Sequence, residues 1–532
     1  MKKLSVYLSF LLVFFFTGNL FSQTFNHSEK ELKEVLTFLA SDDLKGRAAG
    51  TREDKKSAKF ISERLSSYGF TPLIGNNPLT PFNLSLYREV GYGSYVKIDS
   101  KNLVEWRDFK IHPQSPNDSN TTNLFFETDS IQNFEGSALI IKASTDSIPI
   151  LAAKYKAVGV KALLVNSPEI ISKERRGGTT ALSIPVILIS EDVYSSIKSK
   201  SGVVVSYKTV SNLVEGTTYN VVMKYGKDDS PLTVLIGAHY DHLGMGGASS
   251  GSMRPTDNEV HNGADDNASG VATALETGRL LSQLSDSLGL KIIVAAFGAE
   301  ERGIVGSRVL ADTLSKLGQL PNLMINLDMV GRMSDSKLQI GGVGTFGNAD
   351  EIVAKANEKS DFDLTLTKDG YGPSDHASFY TAGVPVLYFT TGVHKQYHTP
   401  EDDVDFINFE GMGRIAVYIS SVVSGVSASG VPAYIKTEAP QTMSRASFKV
   451  TLGVIPDFTY ENGDGFRVGS VSAGKPAEKG GMVAGDIIKK MNNKTISNIY
   501  EYMTMLGELK KGNVLHVEID RDGKIINLEI QL

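Results

Sequence analysis

Four continuous apolar runs, LTVLIGA at 232–238, KIIVAAF at 291–297, LMINL at 323–327 and VPVLYF at 384–389, alternate with helical stretches such as SGVATALETGRLLSQL. Continuous runs of this length between helices are the pattern of parallel strands covered on both faces. Sheets of that kind bind ligands beyond the carboxyl ends of their strands. The residues just beyond each run therefore decide what the chain can do. The first run leads into HYDH, with His239, Asp241 and His242. Next comes HNGADDNASG at 261–270, then the pair Glu300 and Glu301 closing the second run. The third run leads into Asp328, and the last into VHKQYHTPEDD, with His394 and His398.

Any one of these clusters has an ordinary reading. Two aspartates at a helix start serve as caps favoured by the helix dipole. A carboxylate embedded among Ile, Leu and Met is harder to explain, because its desolvation is costly unless a cation compensates it. Five clusters in chain order, each at a strand exit, point to a metal site. Six of the nine histidines fall between His239 and His398, which fits imidazole being used there.

Upstream, SEKELKEVLTFLASDDL places Leu32, Val35, Leu36 and Leu39 at helical spacing behind Ser28 as N-cap, with Glu31 three residues on. TREDKKSAKFISERLSSYGF predicts a second amphipathic helix ending at Gly69. From about 123 to 210 the texture changes to short apolar runs joined by polar turns, a small α/β unit without a His/Asp/Glu cluster. The stretch GVPAYIKTEAPQTMSRAS reads as a linker to a separate C-terminal unit.

A 532-residue chain exceeds one ordinary core and implies several domains. Its net charge of −6 argues against nucleic-acid binding. The opening MKKLSVYLSFLLVFFFTGNLFSQ has the layout of a secretory signal, too short in its apolar part for a stable membrane span. With no cysteine, the chain has neither disulfides nor a lipid-attachment thiol. Periplasmic or secreted localisation thus rests on the leader.

The motifs AHYDH, GADDNASG, AEERGIVGS, NLDMVGR, SDHASF and YHTPEDD resemble, in order, those of the di-zinc aminopeptidases related to bacterial leucyl aminopeptidase and glutamate carboxypeptidase II. The resemblance covers roughly 28–110 and 213–430. It implies an α/β zinc exopeptidase fold, a mainly parallel mixed sheet flanked by helices. The 123–210 stretch resembles a protease-associated (PA) domain, with a structural or a substrate-gating role. RVGSVSAGKPAEKGGMVAGDIIKKMNNKTI resembles a PDZ domain, with Leu452–Val454 at the groove where a peptide C-terminus adds as a strand, unless the groove is unused. The expected organisation is a signal peptide at 1–22, the first catalytic part at 23–110 and a PA-like insertion at 111–212. The zinc peptidase domain follows at 213–430, a linker at 431–445 and the PDZ domain at 446–532.

By the same resemblance His239 and Asp328 hold one Zn2+, Glu301 and His398 the other, and Asp266 bridges both. The Asp266–Asn267 peptide is expected to be cis, with Asp265 an exposed neighbour. Asp241 orients His239, Glu300 is the general base, and Tyr371 stabilises the oxyanion. Two imidazoles and three carboxylates suit zinc, and cobalt or manganese fit the same donors. His242 and His376 are expected beside the site or packed, and His261 and His394 at the cleft rim or in solvated loops. The implied activity is aminopeptidase action on peptides. Carboxypeptidase or dipeptidase action on the same metal site is one alternative, and a non-catalytic binding protein of the same fold is another.

Overall fold

A computed structural model describes residues 25–127, 134–144, 147–167, 176–198, 200–247, 250–254, 258–437, 450–456, 464–471, 474–496, 501–502, 505–506, 509–510 and 512–532. The leader read over 1–22 and the 438–445 part of the linker lie outside them. The chain divides into two compact units, one of 83–216 and one of the remainder.

In the larger unit the helices predicted near the N-terminus form where their patterns require. Helix α1 (Glu29–Leu39) buries Leu32, Val35, Leu36 and Leu39, and the Ser28 side chain accepts from the Glu31 N–H. Helix α2 (Arg52–Ser67) is capped by Thr51 and ends before Gly69, which takes a left-handed φ of 87°. Helices α3 (Gly270–Ser282), α4 (Val305–Leu317), α5 (His376–Thr381) and α6 (Phe409–Ser429) also cover the sheet, as does the helix Ala349–Asn357.

Seven successive strands of a ten-stranded sheet are β1 (Ser211–Tyr225), β2 (Leu232–His239), β3 (Leu290–Phe297), β4 (Leu323–Leu327), β5 (Lys337–Gly341), β6 (Asp363–Leu366) and β7 (Val386–Thr390). They lie in the spatial order β6-β5-β7-β4-β2-β3-β1. The four strands grown from the apolar runs, β7, β4, β2 and β3, are mutually parallel neighbours, and the pairs of β5 with β7 and of β1 with β3 are antiparallel. Both faces of the central strands are buried. Val234 and Ile236 enter one apolar cluster with α1, α3 and α6, while Leu235 enters another with Leu310, Leu314 and Phe379. That two-sided burial is why these strands read as continuous rather than alternating apolar runs. Each such side chain contributes on the order of 1.5–3 kcal/mol.

The 83–216 unit has its own eight-stranded sheet and its own apolar clusters. It begins upstream of the boundary at 111 suggested by sequence texture, because Tyr95–Ile98 pairs with Val204–Thr209 and so belongs to the same sheet. It ends at 216 rather than 212.

The C-terminal segment closes a core of its own, with Leu452, Phe466, Val468, Ile488, Leu515 and Ile519 among its buried residues. Leu452 is sealed into that core, and Val454 opens the short strand Val454–Pro456, which pairs with Phe466–Val471. Within GDII, the buried Asp486 carboxylate takes two hydrogen bonds from Arg521, at 2.6 and 2.8 Å. Among the described residues no helix is long and apolar enough to cross a membrane.

Candidate metal centre

Parallel pairing brings the exits of β7, β4, β2 and β3 side by side. The register aligns His239 with Phe297 and Gly237 with Asn326, so the residues just beyond each strand share one crevice. A pocket there is lined by His239, Asp266, Glu300, Asp328, Tyr388 and His398, with Met329, Pro373, Val393 and Tyr397 among its walls.

Each polar residue is held by its element. Asp266 sits in the turn Ala264–Ser269 that leads into α3, next to a cis Asp266–Asn267 peptide. The Asn267 side chain ties this turn to β4 by donating to the Leu327 carbonyl at 2.9 Å and accepting from the Gly270 N–H at 2.9 Å. The loop of Glu300 and Glu301 is anchored by the buried Asn220, which accepts from Gly298 N–H at 3.1 Å and donates to the Gly306 carbonyl at 2.8 Å. That loop also needs its glycines. A Cβ on Gly306 would stand 2.1 Å from the Gly298 carbonyl oxygen, and one on Gly298 would stand 2.6 Å from that of Tyr219.

The two oxygens of Asp266 face two different donor sets. Oδ1 is 3.3 Å from His239 Nε2, which is itself 3.5 Å from Asp328 Oδ1. Oδ2 is 3.1 Å from His398 Nε2, which is 3.4 Å from Glu301 Oε2. Donors around a tetrahedral zinc, each at about 2.0–2.1 Å, stand roughly 3.3 Å apart, so both sets fit a cation. His242 also belongs to the second cluster, but it makes a different contact. Its Nδ1 is 2.7 Å from Glu301 Oε1, a hydrogen-bond distance, and 3.9 Å from Asp266. A ring nitrogen engaged in that way orients Glu301 and leaves the ligand position to His398.

Electrostatics separates the two neighbouring glutamates. Burial pushes Glu300 well above the usual carboxylate range despite His239, and Glu301, Asp375 and Asp328 push it further. Burial would also raise Glu301, yet His398 and His242 outweigh it and bring Glu301 down to about 2. One glutamate favours its proton and its neighbour stays ionised. The same carboxylates overcome the effect of burial on His239 and His398 and raise both imidazoles well above their ordinary range. This donor set attracts positive charge.

Asp241 serves the site by a route the sequence did not suggest. Its Oδ1 accepts the main-chain N–H of Glu300 at 2.9 Å, while His239 Nδ1 is nearer the Asp241 carbonyl, at 3.2 Å, than the carboxylate, at 3.9 Å. Burial raises Asp241 to about 8. Tyr371 is not among the residues lining the pocket. Its N–H is held by Asp369 and its ring packs edge-on against Tyr380, 4.8 Å away, in the apolar cluster around Phe379. Tyr388 and Tyr397 are the tyrosines that line the pocket.

Asp265, expected to be exposed, is fully buried. Its Oδ1 accepts from Gly331 N–H and Ser269 Oγ, and its Oδ2 is 3.2 Å from His394 Nε2. His261 is also buried rather than solvated, with Nε2 2.8 Å from Ser252 Oγ. His376 is packed as expected, stacked on Tyr388 and lowered to about 3 by burial.

Three further residues were missed. Asp402 Oδ2 accepts the N–H groups of Asp265 and Asp266 at 3.0 and 2.9 Å, and its Oδ1 accepts from Arg332. Ser374 Oγ donates to Asp328 Oδ2 at 2.7 Å. Arg47 is fully buried and donates to the carbonyls of Leu39, Tyr240, Asn262 and Gly263. Asp402 and Ser374 lie inside or beside the motifs YHTPEDD and SDHASF, whereas nothing in LKGRAAGT marks Arg47 as more than a surface cation.

Residues 220–423 match the model of peptidase family M28, and residues 450–532 match that of the PDZ domain. The chain is 28% identical over 315 residues to aminopeptidase YwaD of Bacillus subtilis (strain 168), covering 56% of this chain and 64% of that one. It is 32% identical over 197 residues to leucine aminopeptidase 1 of Neurospora crassa, covering 34% of this chain and 47% of that one. The chain thus spans less than two thirds of the length of either relative. The crystal structure of BSAP, a zinc aminopeptidase from Bacillus subtilis, aligns with a TM-score of 0.48 and 22% identity over 75% of this chain and 96% of that one. All the donor residues of the pocket lie between 220 and 423, the segment that matches the model of peptidase family M28, and residues 450–532 match that of the PDZ domain.

Proposed function

We propose that the protein is a zinc-dependent aminopeptidase that removes N-terminal residues from peptides. The observation carrying this reading is the shared carboxylate of Asp266, with one oxygen toward His239 and Asp328 and the other toward His398 and Glu301. Two zinc ions held by these five residues would supply Lewis-acid polarisation of the scissile carbonyl and lower the pKa of the attacking water. Cobalt or manganese would suit the same donors.

The chain's own residues do the rest. Glu300 accepts the proton of the attacking water and returns it to the leaving amine, a task suited to a carboxylate whose proton affinity burial has raised. Asp241 holds the Glu300 main chain in place, and His242 fixes Glu301. Met329, Pro373, Tyr388, Val393 and Tyr397 wall the pocket and exclude water from the reacting carbonyl. The unit at 83–216 is read as the PA-like insertion and is assigned no chemistry. The PDZ groove is read as a site for a peptide C-terminus, and the leader as a signal for export to the periplasm or beyond.

Purified protein should carry about two transition-metal ions per chain, lose hydrolysis on chelation and regain it when zinc is restored. In a substrate panel, free amino ends should be required and N-acylated peptides refused. Cleavage of acylated peptides from their carboxyl end would make it a carboxypeptidase. Absence of both metal and hydrolysis would make it a binding protein.

Removing residues 446–532 should leave hydrolysis of small chromogenic substrates largely intact. The C-terminal core closes on itself, and among the described residues no pocket residue lies beyond His398. A truncated chain that folds and binds zinc yet is inactive would mean that the PDZ domain completes the site.

A further inference from the structure

The segment after α6 reads in sequence as the start of a linker, yet residues 434–437 are bound back onto the peptidase domain. Ile435 N–H donates to the Thr345 carbonyl at 2.8 Å. Thr437 N–H donates to the Tyr380 hydroxyl at 2.7 Å, and the Tyr434 ring lies 5.4 Å from that of Tyr380. The Thr437 hydroxyl accepts from the Gly370 N–H at 3.3 Å and donates to Asp369 Oδ1 at 3.2 Å. Asp369 Oδ1 in turn accepts from the Tyr371 N–H at 2.9 Å.

One short loop joins this contact to the metal centre. Asp369 and Gly370 meet Thr437, Pro373 lines the pocket, and Ser374 donates to Asp328 while accepting from Asn326. One end of the loop is thus fixed by the metal-site residues and the other by the strap. Gly370 has no room to shift toward α5, since even a Cβ there would lie 2.4 Å from the Tyr380 ring.

We propose that Tyr434–Thr437 is a positioning strap, which holds loop 369–374 and so sets the pocket wall against which substrate packs. Thr437 is its clasp, because one hydroxyl bonds both a main-chain N–H and the carboxylate that shapes the turn. The effect on turnover rests on the aminopeptidase reading, whereas the effect on the loop does not.

The test uses the full-length chain with Thr437→Val, which keeps shape and removes the hydroxyl, and Thr437→Ser, which keeps the hydroxyl. Thr437→Val should lower kcat/KM at least about tenfold, mainly through KM, because it removes the hydroxyl's bonds to Gly370 N–H, to Asp369 Oδ1 and to the Tyr380 hydroxyl together. Zinc content should not change, and Thr437→Ser should recover most of the loss. Independently of activity, amide hydrogen exchange at 368–374 should quicken in Thr437→Val and stay near wild type in Thr437→Ser. Unchanged exchange in Thr437→Val would overturn the strap. Faster exchange with unchanged KM would overturn its role in setting the pocket wall. A wild-type chain that hydrolyses no peptide would instead remove the functional reading and leave the exchange result to decide the strap.

Discussion

Glu300→Gln should lower turnover by roughly 10²–10⁴-fold, the cost typical of losing a general base, while the protein keeps its full complement of metal. Glu300 lines the pocket, its Oε2 is 4.0 Å from His239 Nε2, and burial raises its affinity for a proton. An amide of the same shape cannot take a proton but removes no donor from either set. Glu301→Gln should behave in the opposite way. Glu301 stays ionised at about 2, stands 3.4 Å from His398 Nε2 and is held by His242. A neutral amide there should weaken occupancy of one position, so zinc per chain falls and activity returns only at raised zinc concentration. Metal content and turnover measured on both variants decide the matter. Metal loss confined to Glu300→Gln would reverse the two roles.

Arg47→Met should destabilise the peptidase domain by about 3–5 kcal/mol, the scale of removing one partner from a buried charged network. The guanidinium bonds four carbonyls from three parts of the chain, the end of α1, the residue after His239, and Asn262 with Gly263 just before the Asp266 turn. Burial lowers Arg47 to about 10, against the nearby carboxylates Asp241 and Asp266, which favour its charge. Methionine fills the volume but leaves those carbonyls and carboxylates without their cation. Lysine should also fail to restore stability, because an ammonium cannot fork to carbonyls in several directions. Calorimetric unfolding of the zinc-loaded and zinc-free protein reads the effect. A transition for Arg47→Met at the wild-type temperature in both states would refute the clamp.

The elements that proved legible in sequence were those whose signal is local. The spacing of Leu32, Val35, Leu36 and Leu39 with Ser28 ahead of them specifies a capped helix within a dozen residues. The strand runs were legible because two-sided burial leaves no polar alternation to confuse them. His239, Glu300, Glu301, Asp328 and His398 stood out because polar clusters after apolar runs need a reason to be there, Asp266 because it sits in a second polar cluster at a helix start, and all six line or adjoin one pocket.

Other residues were misread because their partners are remote. Asp265 looked like an exposed neighbour of Asp266, but Gly331 and His394, far along the chain, enclose it. Tyr371 stands at the right offset from Asp375 for a role in the pocket, yet its ring packs against Tyr380 and it is not among the residues that line the pocket. The strap at 434–437 reads as linker because its bonds are to Thr345, Gly370 and Tyr380, none within reach of a local pattern.

By itself the sequence determined which segments are strands and helices, where each strand ends, and which imidazoles and carboxylates stand at those ends, since all of these depend on composition and spacing over a few residues. Only the tertiary structure decided that the strands lie in the order β7-β4-β2-β3, which brings four exits into one crevice. It also decided that Asp402 holds the Asp266 turn from 136 residues away, and that His242, expected beside the site, takes Glu301 as its partner there. The physical reason is that parallel strands pair across long stretches of chain, and a buried polar group takes whichever partner packing places beside it.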